Sequence, residues 1–322
     1  MTAVTLPTST ILIQPARPGF FARFLNIARS KPRIFFGGLI LLLIAGSSLL
    51  SMPLTLASKG EISYELRNRG DERQPPSLER IGYIMGTDSF GRSVLGRALL
   101  GGSISLAIGF AAAAISVSLG VTVGLIAGFR GGWVDSLLMR VVDVLYGLPY
   151  ILLVLLFKIA LEDPLKSVFP SRIASLIVMF LAIGLVSWLT MARVIRGQVL
   201  SLRSQPFIEA CHAVGLPQLR IFLRHILPNL VGPIAVYATL TIPQAILAES
   251  FLSFLGIGVD PTLPTWGALA AENRINATRT LNPEWWMLLF PCLLLSITLL
   301  ALNFLGDGLR DQFDPKKEAA KL

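Results

Sequence analysis

The sequence predicts an all-α polytopic membrane protein with six spanning helices. Three observations carry this. Charged residues make up 15% of the 322-residue chain, against about 25% in a soluble domain. The charges are spread so unevenly that uncharged runs remain at 34–58, 98–129, 144–157, 173–192, 225–248 and 285–306. All but the third reach the ~20 residues that cross ~30 Å of hydrocarbon as a helix. Mean hydropathy is +0.69.

The first 33 residues hold Arg17, Arg23, Arg29, Lys31 and Arg33 and no acid. An apolar run this long, without a small-x-small cleavage site, reads as an uncleaved first span over 34–57 rather than a signal peptide. The acid-free tail before it places the N-terminus in the cytoplasm. Residues 58–97 then form an extracytoplasmic loop of mixed charge, and Pro75-Pro76 with Gly60, Gly70, Gly82 and Gly86 makes it irregular. With this orientation the inner segments carry 16 Lys/Arg and the outer ones 11, with Lys158 inside a span, which has the sign of the positive-inside rule.

The five later spans are placed at about 98–127, 136–161, 172–193, 229–252 and 285–306, a core covering 98–306. A cytoplasmic tail, 307–322, closes the chain. In the second span Gly120, Gly124 and Gly128 recur every four residues and line one face for close helix packing. The third reaches spanning length only by including Arg140 and Asp143 near one surface. Three apart on a helix, these two can pair, which eases their burial. Pro149 is expected to kink this span. The fifth carries Pro233, Pro243 and, near its outer end, Glu249. A carboxylate in such a setting is a candidate for a substrate path; the alternatives are the headgroup level or a bond to a neighbouring helix.

Between the fourth and fifth spans lies a polar stretch, 206–228, built like a helix with defined ends. Pro206 suits a first helical position, and Gly215 suits the positive φ after a helix end. Ile208, His212 and Gly215 lie near one side, with Glu209 on the adjoining surface.

Several function classes are excluded or weakened. Gly-Lys occurs nowhere, so there is no Walker A loop. Two cysteines, Cys211 and Cys292, make no disulfide framework. His212 and His225 share one loop, so no His-rich metal site is expected, and no cofactor. An intramembrane hydrolase would need a Ser–His, paired-Asp or metal cluster within the spans. The net charge of +9 is accounted for by inner loops rather than by nucleic acid.

The stretch resembles the signature of integral-membrane subunits of bacterial ABC importers: Glu-Ala-Ala, three residues, Gly, nine residues, Ile-x-Leu-Pro. Here it reads Glu209-Ala210-Cys211, Gly215, then His225-x-Leu227-Pro228, with the same spacing and with Cys211 and His225 as departures. Arg224-His-Ile-Leu-Pro-Asn229 is similar to the dipeptide/oligopeptide/nickel branch. So are Gly86-Thr-Asp88-x-x-Gly91-Arg92, Gly131-Gly-Trp-Val-Asp135, Leu252-Ser-Phe-Leu-Gly256 with Pro264-Thr-Trp-Gly267, and Asn303-x-x-Gly306 through Asp314-Pro315.

The resemblance implies a type I ABC importer permease fold, of the C type, in the bacterial inner membrane with both termini cytoplasmic. A coupling helix would lie between spans four and five. It implies a second homologous permease as heterodimer partner, two cytoplasmic ATPase subunits, an extracytoplasmic substrate-binding protein and surrounding lipid. ATP hydrolysis would take place in the partners, not in this chain. Glu209, Ala210, Gly215, His225, Leu227 and Pro228 would couple to the ATPases, with a solvated surface charge as the plain alternative for Glu209. Gly86, Asp88 and Arg92 would meet an outer partner, with a turn or cap role equally open for Asp88. The solute would be a dipeptide or oligopeptide, whose amine suits Glu249, or else nickel or another non-peptide solute.

Overall fold

The computed structural model describes residues 31–57, 60–278 and 283–313. The basic residues at 17–29 and the Asp314-Pro315 pair lie outside them. Five helices are long and apolar enough to cross a membrane, and six spans result if one sharply bent pair counts as one. The chain has the architecture of a multi-pass membrane protein.

Helix α1 (Pro32–Thr55) starts on a proline at its first turn, where the missing N–H costs nothing. Leu42, Leu43, Leu49 and Leu50 stand exposed along it, as on a helix that faces lipid. A 3-10 turn at Ile81–Tyr83 interrupts the segment that follows. Helix α2 (Val94–Arg130) begins four residues before the expected 98. Ser93 caps it, its hydroxyl accepting from the Gly96 N–H at 3.2 Å. At ~1.5 Å per residue the helix is far longer than the bilayer core is thick.

Two half-helices replace the expected third span: α3 (Gly132–Tyr146) and α4 (Tyr150–Lys166), bent by 97°. Pro149 therefore breaks this span instead of kinking it. Proline lacks an N–H and disfavours helical geometry in the residue before it, so the chain turns at Gly147-Leu148-Pro149. Helix α5 (Ser171–Arg203) continues ten residues past its expected end at 193.

α2 and α5 pack as the glycine repeat predicts. A Cβ on Gly120 would lie 2.5 Å from Met191 Cβ, one on Gly124 2.6 Å from the Ala192 carbonyl, and one on Gly128 2.8 Å from Val199 Cβ. Hydrogen at these three positions is what lets the two backbones approach.

The 206–228 stretch folds into α6 (Pro206–Ala213), α7 (Gln218–Ile221) and a π-helical turn over Phe222–Ile226. The turn runs directly into α8 (Leu227–Phe254). The expected outer loop at 256–284 contains a further helix, α9 (Trp266–Ala277), and α10 (Trp286–Phe313) ends the described chain. The bundle therefore has two distinct ends. One bears the 206–228 stretch. The other bears 60–93 and α9.

Candidate functional site

The helix ends of the 206–228 stretch close as the residues dictate. After α6, Gly215 takes φ +78°. Its N–H bonds the His212 carbonyl at 2.9 Å, and the Leu216 N–H bonds the Cys211 carbonyl at 3.1 Å. This is a Schellman closure, which needs a residue free to adopt positive φ. Ile208 is buried against Met191, Ile195, Val199, Ile221, Ile226 and Leu230, with Cys211 and Leu216 beside them. That face fixes α6 to the bundle. The rest of α6 is open, with Phe207, Glu209 and Ala210 exposed, and Val214 after it and Leu219 and Leu223 further along the stretch are exposed too. Among the described residues Glu209 makes no ion pair.

Leu227 and Pro228 have a physical role visible in the backbone. In a regular helix the residue-228 N–H would bond the Arg224 carbonyl. Proline has no N–H, and its ring would strike that carbonyl. The chain widens instead, and the Leu227 N–H reaches the Phe222 carbonyl five residues back. The His225 carbonyl accepts from Asn229 Nδ2 at 2.6 Å. His225 itself is half-buried.

Three arginines of α5 tie this end together. Arg203 Nη1 donates to the Gly128 and Phe129 carbonyls at 2.9 and 3.1 Å, satisfying the C-terminus of α2. Arg196 grips Asp135 with two bonds of 2.7 and 2.6 Å. Arg193 Nη2 meets Asp143 Oδ1 at 2.7 Å. The expected Arg140–Asp143 pair is thus replaced by a contact between helices. Arg140 stays exposed and makes no ion pair among the described residues. Phe129 and Phe222, with ring centroids 4.8 Å apart, join α2 to the π turn.

At the other end Gly86 takes φ +76°, and a Cβ there would lie 2.7 Å from the Trp286 indole. Asp88, 1% exposed, is held inside the chain. Its Oδ1 accepts from the Phe90 and Arg92 N–H groups at 2.8 and 3.0 Å, its Oδ2 from Arg92 Nε at 2.6 Å and Arg97 Nη1 at 2.9 Å. Glu272 of α9 closes the ring, accepting from Arg92 Nη2 at 2.6 Å and Arg97 Nη2 at 2.7 Å. Burial pushes the Glu272 carboxyl up, but the Arg97 and Arg92 guanidiniums outweigh it and hold it below the usual carboxylate range. Asp88 is therefore not an outward-facing contact residue. It is the turn-forming anchor of a four-charge network. Arg97 and Glu272 escaped sequence reading because they are 175 residues apart. The one signal was a charge in the first turn of an apolar helix.

Glu249 is also inside. It is fully buried, accepting from Ser253 Oγ and Thr265 Oγ1 at 2.7 Å each and from Ser250 Oγ at 3.4 Å. The same Thr265 hydroxyl accepts from the Ala268 N–H at 3.1 Å as the cap of α9. Trp266 follows, donating from Nε1 to the Ala98 carbonyl at 3.0 Å. Of the alternatives open for Glu249, the structure has the bond to a neighbouring element: it joins α8 to the start of α9, because the chain after α8 folds back over it. The described residues contain no cluster of three or more His, Cys, Asp or Glu able to hold a metal ion.

Residues 120–319 match the family of binding-protein-dependent transport system inner membrane components. The chain is 44% identical over 241 residues to the oligopeptide transport system permease protein OppC of Haemophilus influenzae, covering 75% of this chain and 72% of that one. It is 40% identical over 246 residues to the dipeptide transport system permease protein DppC of Bacillus subtilis, covering 76% and 72%. Its fold is similar to a chain of the MetNI methionine ABC transporter in an inward-facing conformation. There the TM-score is 0.53 at 16% identity, over 68% of this chain and 96% of that chain.

Proposed function

The chain belongs to the family of binding-protein-dependent transport system inner membrane components, and we propose that it is the permease subunit through which an ATP-driven importer passes short peptides. It is a transport component and not an enzyme. Relatives named for oligopeptide and dipeptide transport support peptides as the solute class. In this reading the chain pairs with a second, homologous permease. Two ATPase subunits dock on its cytoplasmic side, and a binding protein delivers the solute from outside. The end with Arg193, Arg196, Arg203, Arg220 and Arg224 faces the cytoplasm, in keeping with the positive-inside rule.

The observation that carries the coupling role is the build of α6. Its buried side is anchored through Ile208, both its ends lead into spanning helices, and its open side carries Glu209 beside exposed apolar groups. Such a helix transmits the movement of a docked ATPase as a rigid body, which links ATP turnover to the distant path. The test is reconstitution of the full complex in proteoliposomes. ATP-dependent uptake of a labelled tripeptide should require this chain and the binding protein. Uptake of only a non-peptide solute would overturn the peptide reading. ATP turnover that ignores removal of α6 would overturn the coupling role.

A further inference from the structure

A polar groove runs beside the break in the third span. Ser136, Arg140 and Asp143 of α3 and Gly147 just after its end are exposed at spacings of four, three and four, one face of a helix. Its exposed apolar residues, Trp133, Leu137, Val141 and Val144, make the adjoining stripe. On α5, Ser187 is half-buried and Thr190, Gly197 and Ser201 are exposed, and nothing would lie within 4 Å of a Cβ on Gly197. The α3 stripe is ~16 Å long by helical rise. At its head, between α3, α4 and α5, is a cavity of about 290 Å³ lined by Leu145, Tyr146, Leu148, Tyr150, Leu189 and Thr190. At its mouth Arg193 reaches Asp143, with side chains 36% and 62% exposed, and stacks 3.8 Å over the Tyr146 ring. The Tyr150 hydroxyl lies 3.4 Å from Ser187 Oγ.

A stripe that carries charge is poorly suited to face lipid. Broken backbone at membrane depth is tolerated only inside protein or along a water-filled cavity. The apolar stripe of α3 is the side suited to lipid; the polar stripe is suited to water and a polar ligand. A flat partner helix laid over the groove would leave the concave head unfilled. A ligand with both an anionic and a cationic end could exchange the Arg193–Asp143 pair for two pairs, leaving neither charge alone.

We propose that this groove is a solute-binding site on the path, taking a short zwitterionic peptide. Its α-carboxylate meets Arg193, its α-ammonium meets Asp143, and an apolar side chain enters the Tyr146–Tyr150 cavity. This site rests on the peptide-import reading above and adds to it the residues that hold the peptide.

The test uses the assembled transporter with its ATPases and binding protein, and labelled Ala-Phe-Ala. With p-azidophenylalanine at position 146 or 150, illumination during turnover should cross-link the peptide to this chain. The same group at Leu137, on the apolar stripe, should not. The double variant Asp143→Asn with Arg193→Gln removes both charges and leaves no lone one. It should lower uptake about tenfold or more through a raised KM, as loss of charge-assisted bonds predicts. Peptide uptake without cross-linking at 146 or 150, or unchanged uptake by the double variant, overturns the site. No peptide uptake by the unaltered complex overturns the import reading and the site together.

Discussion

Gly215 and Glu249 show how differently single residues serve this chain. Gly215 sits at φ +78° with nothing within 4 Å of where its Cβ would be. Gly215→Ala therefore meets no steric clash and carries only the left-handed backbone penalty, about 1–2 kcal/mol. The expected outcome is an assembled complex whose binding-protein-stimulated ATPase no longer tracks uptake. Normal coupling in that variant would show that the closure of α6 is dispensable. Glu249 is the reverse case. It accepts from three hydroxyls in a fully buried setting, so Glu249→Leu leaves donors without partners at about 1–3 kcal/mol. A lower yield and melting temperature of the complex should result, with uptake per assembled complex retained. Retained stability with lost uptake would return Glu249 to the path.

The elements are shaped by where hydrogen bonds and methyl groups are missing. Pro228 opens the π turn, and that one extra residue sets the rotation of the 206–228 stretch relative to α8 by ~100°. Pro228→Ala should let the turn relax to a regular helix and swing the face with Glu209 away. Measured in proteoliposomes, uptake should fall several-fold while the helical content by circular dichroism stays unchanged. The α2–α5 seam depends on the opposite kind of absence. A leucine at 124 would strike the Ala192 carbonyl and Ile195, so Gly124→Leu should destabilise by about 1–3 kcal/mol or more, read as loss of folded protein on thermal challenge in detergent. The glycine repeat and the two helix-end signals of α6 were legible because they are local. The turn at 147–149 was legible as a disturbance, but its 97° bend was not, since packing of α3 on α5 sets that angle.

Taken as a whole, the bundle is fastened at both ends by charge. The arginines of α5 bind the end with α6, and the Asp88–Arg92–Arg97–Glu272 network joins 60–93 and α2 to α9 at the other. The folded-state pKa of Glu272 is depressed. Its contribution to stability is therefore present above its unfolded pKa and lost as pH falls through the folded value. Melting temperature should drop on acidification below the ordinary carboxylate range. Glu272→Gln should begin lower at neutral pH and show a shallower acid dependence over that window. An identical pH slope in both proteins would remove Glu272 from the account.

The sequence by itself determined the helical, membrane-spanning class, the polar stretch at 206–228, its helix ends and the family resemblance. Each depends on composition or on spacing within a few turns, which are properties of the chain alone. Only the tertiary structure decided which charges meet. Asp143 pairs with Arg193 rather than Arg140, Asp88 turns inward to Arg97 and Glu272, and Glu249 is covered by the start of α9. An ion pair requires two side chains within about 4 Å, and residues 50 apart, as Asp143 and Arg193 are, or 175 apart, as Arg97 and Glu272 are, come that close only once the bundle has packed.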